Sequence, residues 1–252
     1  MSEPIISARD LGVRFVKGRR RNLRVREMVF HGRKRAMKNG ASDEFWPLRN
    51  LSFDVVPGEA IGVIGKNGTG KSTLLRLIAG VLIPDEGSIR VRGKVAPLLE
   101  LSAGFSNDLT GRENLNLVAT LHGLSKAELA AKFDEIVDFA GDQVAKSLDS
   151  PVRHYSSGMR VRLGFSIISQ LHHPILLVDE VMAVGDAEFR AKCYNTMQRL
   201  LVEGRTLVLV SHNEGDLTKF CTRGLFINEG RLTRDGTVQE ALDAYKGLVP
   251  VA

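Results

Sequence analysis

Short apolar runs alternate with amphipathic stretches along most of the chain. Residues 59–64, 175–178 and 206–210 are nearly continuous apolar runs of strand length. Such runs predict strands buried on both faces, as in a parallel sheet covered by helices. The spacing of apolar residues predicts helices over residues 72–79 and 187–203, which alternate with these strands. This order indicates an α/β fold with a mainly parallel sheet.

Both ends of the chain show shorter strand patterns. Residues 5–11 and 13–16 predict an opening pair of strands, and residues 51–56 alternate apolar and polar side chains as a half-buried strand does. Residues 225–227 and 230–232 predict a hairpin late in the chain. The N-terminal strands indicate an antiparallel β part beside the parallel sheet.

The middle of the chain has a helical pattern. Thr110 with Glu113, and Ser125 with Glu128, match the capping box, in which each side chain accepts a hydrogen bond from the other residue's backbone N–H. A helix is predicted after each box, and a further helix over residues 157–171. Near the end of the chain, Thr237 with Glu240 matches the same box and predicts a final helix.

These patterns describe a single domain, residues 1–252, with an inserted subdomain. A chain of 252 residues is long enough to bury one large core. We assign residues 1–98 and 172–252 to a strand–helix core, and residues 99–171 to a helical subdomain inserted into it.

The composition is that of a soluble globular protein, with 43% hydrophobic and 25% charged residues. No apolar run approaches the roughly 18 residues that would cross a bilayer. The first residues lack the charged and apolar pattern of a signal peptide. Cys193 and Cys221 stand alone without metal-ligand spacing, so we expect reduced thiols in a cytosolic protein.

The net charge of +6 comes from one segment. Residues 17–38 contain ten Lys or Arg and one acid, so this segment carries +9 and the rest of the chain carries −3. We call residues 17–46 the basic insertion. Because the charge is confined to it, the whole protein is not expected to be a nucleic-acid binder.

A phosphate-binding loop stands between a predicted strand and a predicted helix. Residues 65–72 match the pattern Gly-x-x-x-x-Gly-Lys-Ser/Thr. The glycines allow consecutive backbone N–H groups to converge on an anion, Lys71 can reach the β- and γ-phosphates, and the Ser72 hydroxyl can ligate Mg²⁺. An ordinary glycine-rich turn is the alternative. The predicted nucleotide-binding residues are Gly65, Asn67, Gly68, Thr69, Gly70, Lys71, Ser72 and Thr73.

Polar residues follow the two other buried strands. Asp179 and Glu180 come after residues 175–178, and His212 comes after residues 206–210. Asp179 is predicted to hold Mg²⁺, Glu180 to accept a proton from the attacking water, and His212 to contact the γ-phosphate. Taken alone, these residues also fit an acidic turn and a surface or capping histidine. Together with Lys71, they predict a site that hydrolyses a nucleoside triphosphate.

Residues 155–159 read Tyr-Ser-Ser-Gly-Met and lie about 85 residues after Lys71 and about 20 before Asp179. At this point the chain resembles the ABC ATPase family, whose signature is Leu-Ser-Gly-Gly-Gln, and Ser156 and Gly158 match it. The resemblance implies a P-loop NTPase fold of the RecA-like type. It also implies a head-to-tail homodimer, in which Ser156 and Gly158 bind the nucleotide of the opposite subunit.

The resemblance extends over nearly the whole chain. It points in particular to the ATPase subunit of bacterial exporters that move polysaccharides such as O-antigen, teichoic acid, capsule or galactan. The stretches that carry it are PLLELSAGF at 97–105, LTGREN at 109–114, YSSGMRVRL at 155–163 and DEVMAVGDAEF at 179–189.

Two further site residues are implied by the resemblance. Glu100 occupies the place where most ABC ATPases have a Gln that contacts Mg²⁺, so it is a candidate metal ligand that adds negative charge beside the phosphates. Phe15 occupies the place of an aromatic residue that stacks on adenine. A core phenylalanine at a strand end is the alternative for Phe15.

The resemblance implies an ATPase that uses ATP and Mg²⁺ to drive export of a lipid-linked polysaccharide. A separate polytopic transmembrane subunit, expected in two copies, would form the pathway, with this chain bound peripherally at the cytoplasmic face of the cell membrane. The basic insertion is either a solvated loop or a surface that contacts this subunit, anionic headgroups or the diphosphate of the glycan lipid.

A soluble ABC ATPase acting on nucleic acid or the ribosome is the alternative function. Only the basic insertion supports it, and no nucleic-acid partner is expected. A small-molecule kinase would not explain residues 155–159.

Overall fold

The computed structural model describes residues 3–16, 44–97, 104–179 and 186–248. Within these ranges, nine strands form two sheets accompanied by eight α-helices. The strands are β1 (Ile6–Val16), β2 (Glu44–Val55), β3 (Ala60–Ile64), β4 (Glu86–Val91), β5 (Val95–Pro97), β6 (Ile175–Asp179), β7 (Thr206–Val210), β8 (Arg223–Asn228) and β9 (Arg231–Thr237). The helices are α1 (Lys71–Ile78), α2 (Gly111–Leu121), α3 (Lys126–Ala140), α4 (Asp142–Lys146), α5 (Ser157–Ser169), α6 (Ala187–Val202), α7 (Glu214–Phe220) and α8 (Val238–Gly247).

The larger sheet has the strand order β5–β6–β7–β3–β8–β9. All neighbouring pairs are parallel except β8 with β9. Every residue of β3 and β7 is buried. Alternate side chains of β7 enter two different apolar cores, Leu209 on one side and Val208 on the other. The predicted α/β fold with a mainly parallel sheet is therefore confirmed, because burial on both faces explains the continuous apolar runs.

The smaller sheet is antiparallel and has the order β2–β1–β4. The prediction of two strands within residues 5–16 is wrong, since these residues form the single strand β1. Asp10 adopts a left-handed conformation with φ 47°. The register of β1 shifts across Asp10 in its pairing with β2 and in its pairing with β4. This irregularity breaks the alternation of side chains, which explains why the sequence suggested two strands.

Helices α2 to α5 surround a core of their own that includes Leu115 and Ile136. Both capping boxes predicted in this part form, with Thr110 and Ser125 as the N-caps of α2 and α3. The short helix α4 was not predicted, because five residues are too few to show helical periodicity. The predicted start of the helical subdomain at residue 99 lies outside the described residues.

The C-terminal elements match the sequence patterns. β8 and β9 form the expected hairpin, and Thr237 with Glu240 forms a capping box at the start of α8. None of the helices in the described ranges is long and apolar enough to cross a membrane.

The basic insertion is described only at its end. Residues 17–43 lie outside the described part of the chain, whereas residues 44–46, which the sequence placed in the insertion, are the first residues of β2.

Candidate functional site

Three segments start from neighbouring strand ends at the carboxyl edge of the larger sheet. β3 leads into the loop of residues 65–70, which continues into α1. In the sheet register, Val63 of β3 and Asp179 of β6 both pair with Val210 of β7. The loop, the Asp179 carboxylate and the segment that contains His212 therefore begin side by side. Open α/β sheets bind their ligands at this edge.

Two glycines allow the loop to pack closely against neighbouring strands. A Cβ atom at Gly65 would lie 2.5 Å from the carbonyl oxygen of Ile227, and one at Gly70 would lie 2.4 Å from that of Pro47. Gly70 is also the N-cap of α1, with φ 96° and no side-chain cap. The N-terminus of α1 therefore opens directly onto the loop, where its N–H groups and the helix dipole favour an anion.

Lys71 is held inside the loop and is only 7% exposed. Its Nζ donates hydrogen bonds to the carbonyl oxygens of Gly65 at 2.7 Å and Lys66 at 2.9 Å. The Thr69 hydroxyl donates to the same Lys66 carbonyl at 2.8 Å. These bonds keep a positive charge within the turn of backbone that the glycines create. A buried ammonium group beside convergent N–H donors is suited to binding a polyphosphate.

Ser72 and Asp179 bring two oxygen ligands together across the site. The Ser72 hydroxyl donates to Oδ2 of Asp179 at 2.9 Å, although the two residues are 107 positions apart in the chain. Hydroxyl and carboxylate oxygens are the ligands that Mg²⁺ prefers, and this ion usually takes only one or two protein ligands beside substrate phosphates and water. The residues present therefore fit Mg²⁺ next to a bound phosphate chain.

His212 lies in an exposed segment directly after β7, and a partly buried network of hydrogen bonds joins the residues on either side of it. The Ser211 hydroxyl accepts from the N–H of Asn213 at 3.0 Å and donates to the carboxylate of Asp216 at 3.4 Å. The hydroxyl of Tyr194 on α6 donates to the other carboxylate oxygen of Asp216. Burial and this hydrogen bond raise the pKa of Tyr194 to about 12, so the phenol remains a donor. Sequence reasoning missed Asp216 and Tyr194, because only tertiary packing brings them together.

An open cleft of about 300 Å³ faces the loop. Phe15, Phe45 and Pro47 line one part of it, and the phosphate-binding loop and the start of α1 line the rest. Phe15 is 39% exposed, so the alternative that it is a core residue does not apply. Sequence reasoning counted Phe45 among the residues of the basic insertion and assigned it no role at the site.

Ser156 and Gly158 lie at the N-terminus of α5, in the helical part of the molecule. The Ser156 hydroxyl accepts a hydrogen bond from the N–H of Met159 at 3.2 Å and caps this helix. The preceding Tyr155 is buried, and its hydroxyl donates to the carbonyl of Ser147 at 2.8 Å. Tyr155 thus anchors the segment, while Ser156 and Ser157 remain exposed. The exposed helix N-terminus is a second place that favours an anion.

Two of the predicted site residues cannot be placed in this geometry. Glu100 and Glu180 lie outside the described residues. Of the others, the structure brings Lys71, Ser72 and Asp179 into one site.

Comparison with known sequences identifies relatives over most of the chain. A family model described as ABC transporter matches residues 48–183. The chain is 43% identical over 222 residues to the O-antigen export system ATP-binding protein RfbB of Klebsiella pneumoniae, covering 88% of this chain and 89% of RfbB. It is 39% identical over 200 residues to the teichoic acids export ATP-binding protein TagH of Bacillus anthracis, covering 79% of this chain and 36% of TagH.

Comparison with solved structures supports the fold. A structure described as the ATP binding subunit of an ABC transporter matches with a TM-score of 0.73 at 22% identity, covering 98% of this chain and 95% of the other. A dimeric post-hydrolysis state of an ATP-binding cassette, bound to ADP and Pi, matches with a TM-score of 0.70 at 18% identity, covering 92% of this chain and 98% of the other. The predicted P-loop NTPase fold with an antiparallel β part is confirmed.

Proposed function

The chain belongs to the ABC transporter family of ATPases, and on this premise we propose that it is the ATP-hydrolysing subunit of a polysaccharide exporter. The observation that carries the proposal is the meeting of the Ser72 hydroxyl and the Asp179 carboxylate, 2.9 Å apart, beside the loop that holds Lys71. A loop for phosphates and a pair of oxygen ligands for a cation form one site. This is the arrangement that phosphoryl transfer requires.

Each residue in this site has a proposed role in hydrolysis. The loop N–H groups and Lys71 bind the β- and γ-phosphates. Ser72 and Asp179 would hold Mg²⁺, which would supply positive charge beside the phosphate oxygens. Glu180 orients the attacking water and accepts its proton. His212 contacts the γ-phosphate and is held in place by the Ser211–Asp216 network.

Three further roles are proposed from the likeness to the family, although Glu100 stands where most members have a Gln. Phe15 contacts the adenine base from the cleft, and Glu100 is a further ligand of Mg²⁺. Ser156 and Gly158 at the N-terminus of α5 contact the nucleotide bound by a second copy of this chain, so that two copies arranged head to tail complete two sites. ATP then favours the closed dimer because only that state offers contacts from both copies.

The relatives support export of a polysaccharide as the purpose of hydrolysis. RfbB is named for O-antigen export and TagH for teichoic acids export. The substrate class we propose is a lipid-linked polysaccharide. It passes through a separate polytopic transmembrane subunit, present in two copies, while this chain is bound at the cytoplasmic face of the cell membrane.

The first test is ATP hydrolysis by the purified chain with and without Mg²⁺. We expect Ser72→Ala and Asp179→Asn to lose most of the Mg²⁺-dependent activity, because each removes an oxygen ligand. Asp149→Asn is the matched control, since Asp149 lies in the helical part of the molecule and forms an exposed ion pair with Arg112. Full activity in both site variants would refute the proposed metal site.

The second test is co-purification from membranes of the Glu180→Gln protein with ATP bound. Loss of the general base at position 180 should preserve ATP binding and trap the closed dimer, so a polytopic membrane protein should accompany the chain. Recovery of ribosomes or nucleic acid without a membrane protein would contradict the exporter function.

A further inference from the structure

Two aromatic side chains stand opposite each other at the end of the smaller sheet. Phe15 of β1 and Phe45 of β2 are directly paired in the register of these strands. Directly opposed residues of an antiparallel pair place their side chains on the same face, with Cβ atoms about 5 Å apart. Phe15 is 39% exposed and Phe45 is 52% exposed. The two rings thus present an apolar surface that is partly exposed to solvent.

This surface faces the phosphate-binding loop. The register of β2 against β1 shifts between Phe45 and Leu48, and Phe45 and Pro47 both line the cleft beside the loop. The carbonyl of Pro47 packs so closely on the loop that a Cβ atom at Gly70 would lie 2.4 Å from it. Phe15, Phe45 and Pro47 all line the cleft of about 300 Å³ that Lys71 also lines. Close backbone packing at Pro47 therefore sets the distance of this part of β2 from the loop, and Phe15 is paired with Phe45 beside it.

Contacts around Trp46 hold the start of β2 in place. Trp46 lies between Phe45 and Pro47 in the chain but is not among the residues that line the cleft, and its ring contacts two arginines instead. The guanidinium of Arg49 lies 4.4 Å from the centroid of the Trp46 ring, and that of Arg14 lies 5.8 Å from it. Arg14 also pairs with Glu44 at 3.0 Å. These contacts tie the start of β2 to β1.

We propose that Phe45 is a second aromatic contact for the base of the bound nucleotide, so that the base rests on the two rings of Phe15 and Phe45. The inference rests on the proposed function in one respect, that a nucleotide is the ligand of the loop. Its physical basis is the affinity of a flat aromatic base for aromatic side chains. Such stacking contributes substantially to binding and accepts any base, because every base has a π-face.

The lining of the cleft also bears on which base binds. Phe15, Phe45 and Pro47 offer no polar side-chain atom to the cleft, so these three residues distinguish bases by stacking area. A purine covers more of the two rings than a pyrimidine does. Loss of the Phe45 ring should therefore weaken the binding of ATP more than that of CTP. The ratio of the two affinities, which favours the purine, should become smaller.

The experiment compares binding of ATP, CTP and inorganic tripolyphosphate to the wild-type chain, Phe45→Ala and Phe45→Leu. We expect both variants to bind ATP about tenfold more weakly, in the range found for loss of one stacking side chain. Tripolyphosphate, which has no base, should bind all three proteins equally. Phe45→Trp should retain the ATP affinity, because it retains an aromatic face.

Val56→Ala is the matched control, since Val56 is an apolar residue of similar exposure, 40%, just beyond the other end of β2. It should bind ATP as the wild type does. Unchanged ATP affinity in Phe45→Ala, or an equal loss of tripolyphosphate binding, would overturn the assignment of Phe45 while leaving the ATPase function intact. The assignment would also be overturned if the wild-type chain bound ATP no more tightly than tripolyphosphate, which has no base. A wild-type chain that binds neither ligand would instead overturn the proposed function itself.

Discussion

Replacement of Gly68 by alanine separates backbone strain from steric overlap in the phosphate-binding loop. Gly68 has φ 81°, and a Cβ atom at this position would meet no other atom within 4 Å. Gly204, in the turn between α6 and β7, has φ 85° and equally open surroundings. The two glycines therefore share a left-handed backbone in open space, but only Gly68 belongs to the loop.

The expected change in the free energy of unfolding follows from two opposing effects. An alanine in the left-handed region costs about 1–2 kcal/mol. The loss of glycine's freedom in the unfolded chain returns about 0.4–1 kcal/mol. Gly68→Ala and Gly204→Ala should each lower the free energy of unfolding by about 1 kcal/mol. Gly65→Ala differs, because its Cβ atom would lie 2.5 Å from the Ile227 carbonyl oxygen, and such overpacking costs about 1–3 kcal/mol.

The effect on ATP should be specific to the loop. The strain of an alanine at position 68 favours a rotated peptide, in which an N–H group turns away from the phosphates. A hydrogen bond to a charged group contributes about 1.5–3 kcal/mol, so ATP affinity should fall at least about tenfold. Gly68→Asn should recover part of this loss, since asparagine tolerates the left-handed conformation better than alanine.

Urea unfolding and calorimetric titration with ATP test the reasoning on the same samples. Gly204→Ala should be as destabilised as Gly68→Ala and bind ATP normally. If Gly68→Ala also binds ATP normally, the loop conformation does not organise the phosphate site. If Gly204→Ala loses the same affinity, the loss reflects general destabilisation and the proposed cause is refuted.

Three other predictions concern contacts around the site and in the core. Asp216→Asn should lower kcat and leave the KM for ATP nearly unchanged, because it weakens the hydrogen bonds from Tyr194 and Ser211 that hold the segment of His212. An unchanged kcat would exclude this positioning role. Thr110→Ala should lower the free energy of unfolding by about 1 kcal/mol through loss of a helix cap, and urea denaturation with an unshifted midpoint would contradict it. Burial raises the thiol pKa of both cysteines to about 12, so neither should react with a thiol reagent at pH 8 until urea unfolds the chain, and rapid labelling of the native protein would contradict this.

Elements with local signals were predictable from the sequence. The capping boxes at Thr110, Ser125 and Thr237 all form, because each joins groups only three residues apart. The buried strands around the site were also predicted, since burial on both faces leaves a continuous apolar run. The family assignment and the proposed exporter function rest on motifs of this local kind, and comparison with RfbB and TagH confirms the assignment.

Elements that depend on distant partners were not predictable. The strand β5 has only three residues and exists because it pairs with β6. α7 is short, and β1 is one strand despite the irregularity at Asp10 because β2 and β4 pair with it on either side. For β5 and β1 the pairing partner, rather than the local pattern, determines the structure, whereas α7, with seven residues, is too short to show a helical period.

The sequence by itself determined the chemistry of this protein: a glycine-rich loop with Lys71 and Ser72, a carboxylate after a buried strand, and a histidine after another. The tertiary structure alone decided their geometry, because the sheet order places β7 between β3 and β6 and still brings Ser72 to 2.9 Å from Asp179. It also decided that Phe45 stands beside Phe15. Local periodicity records which face of an element is buried, but the order and register of strands come from hydrogen bonds between segments far apart in the chain.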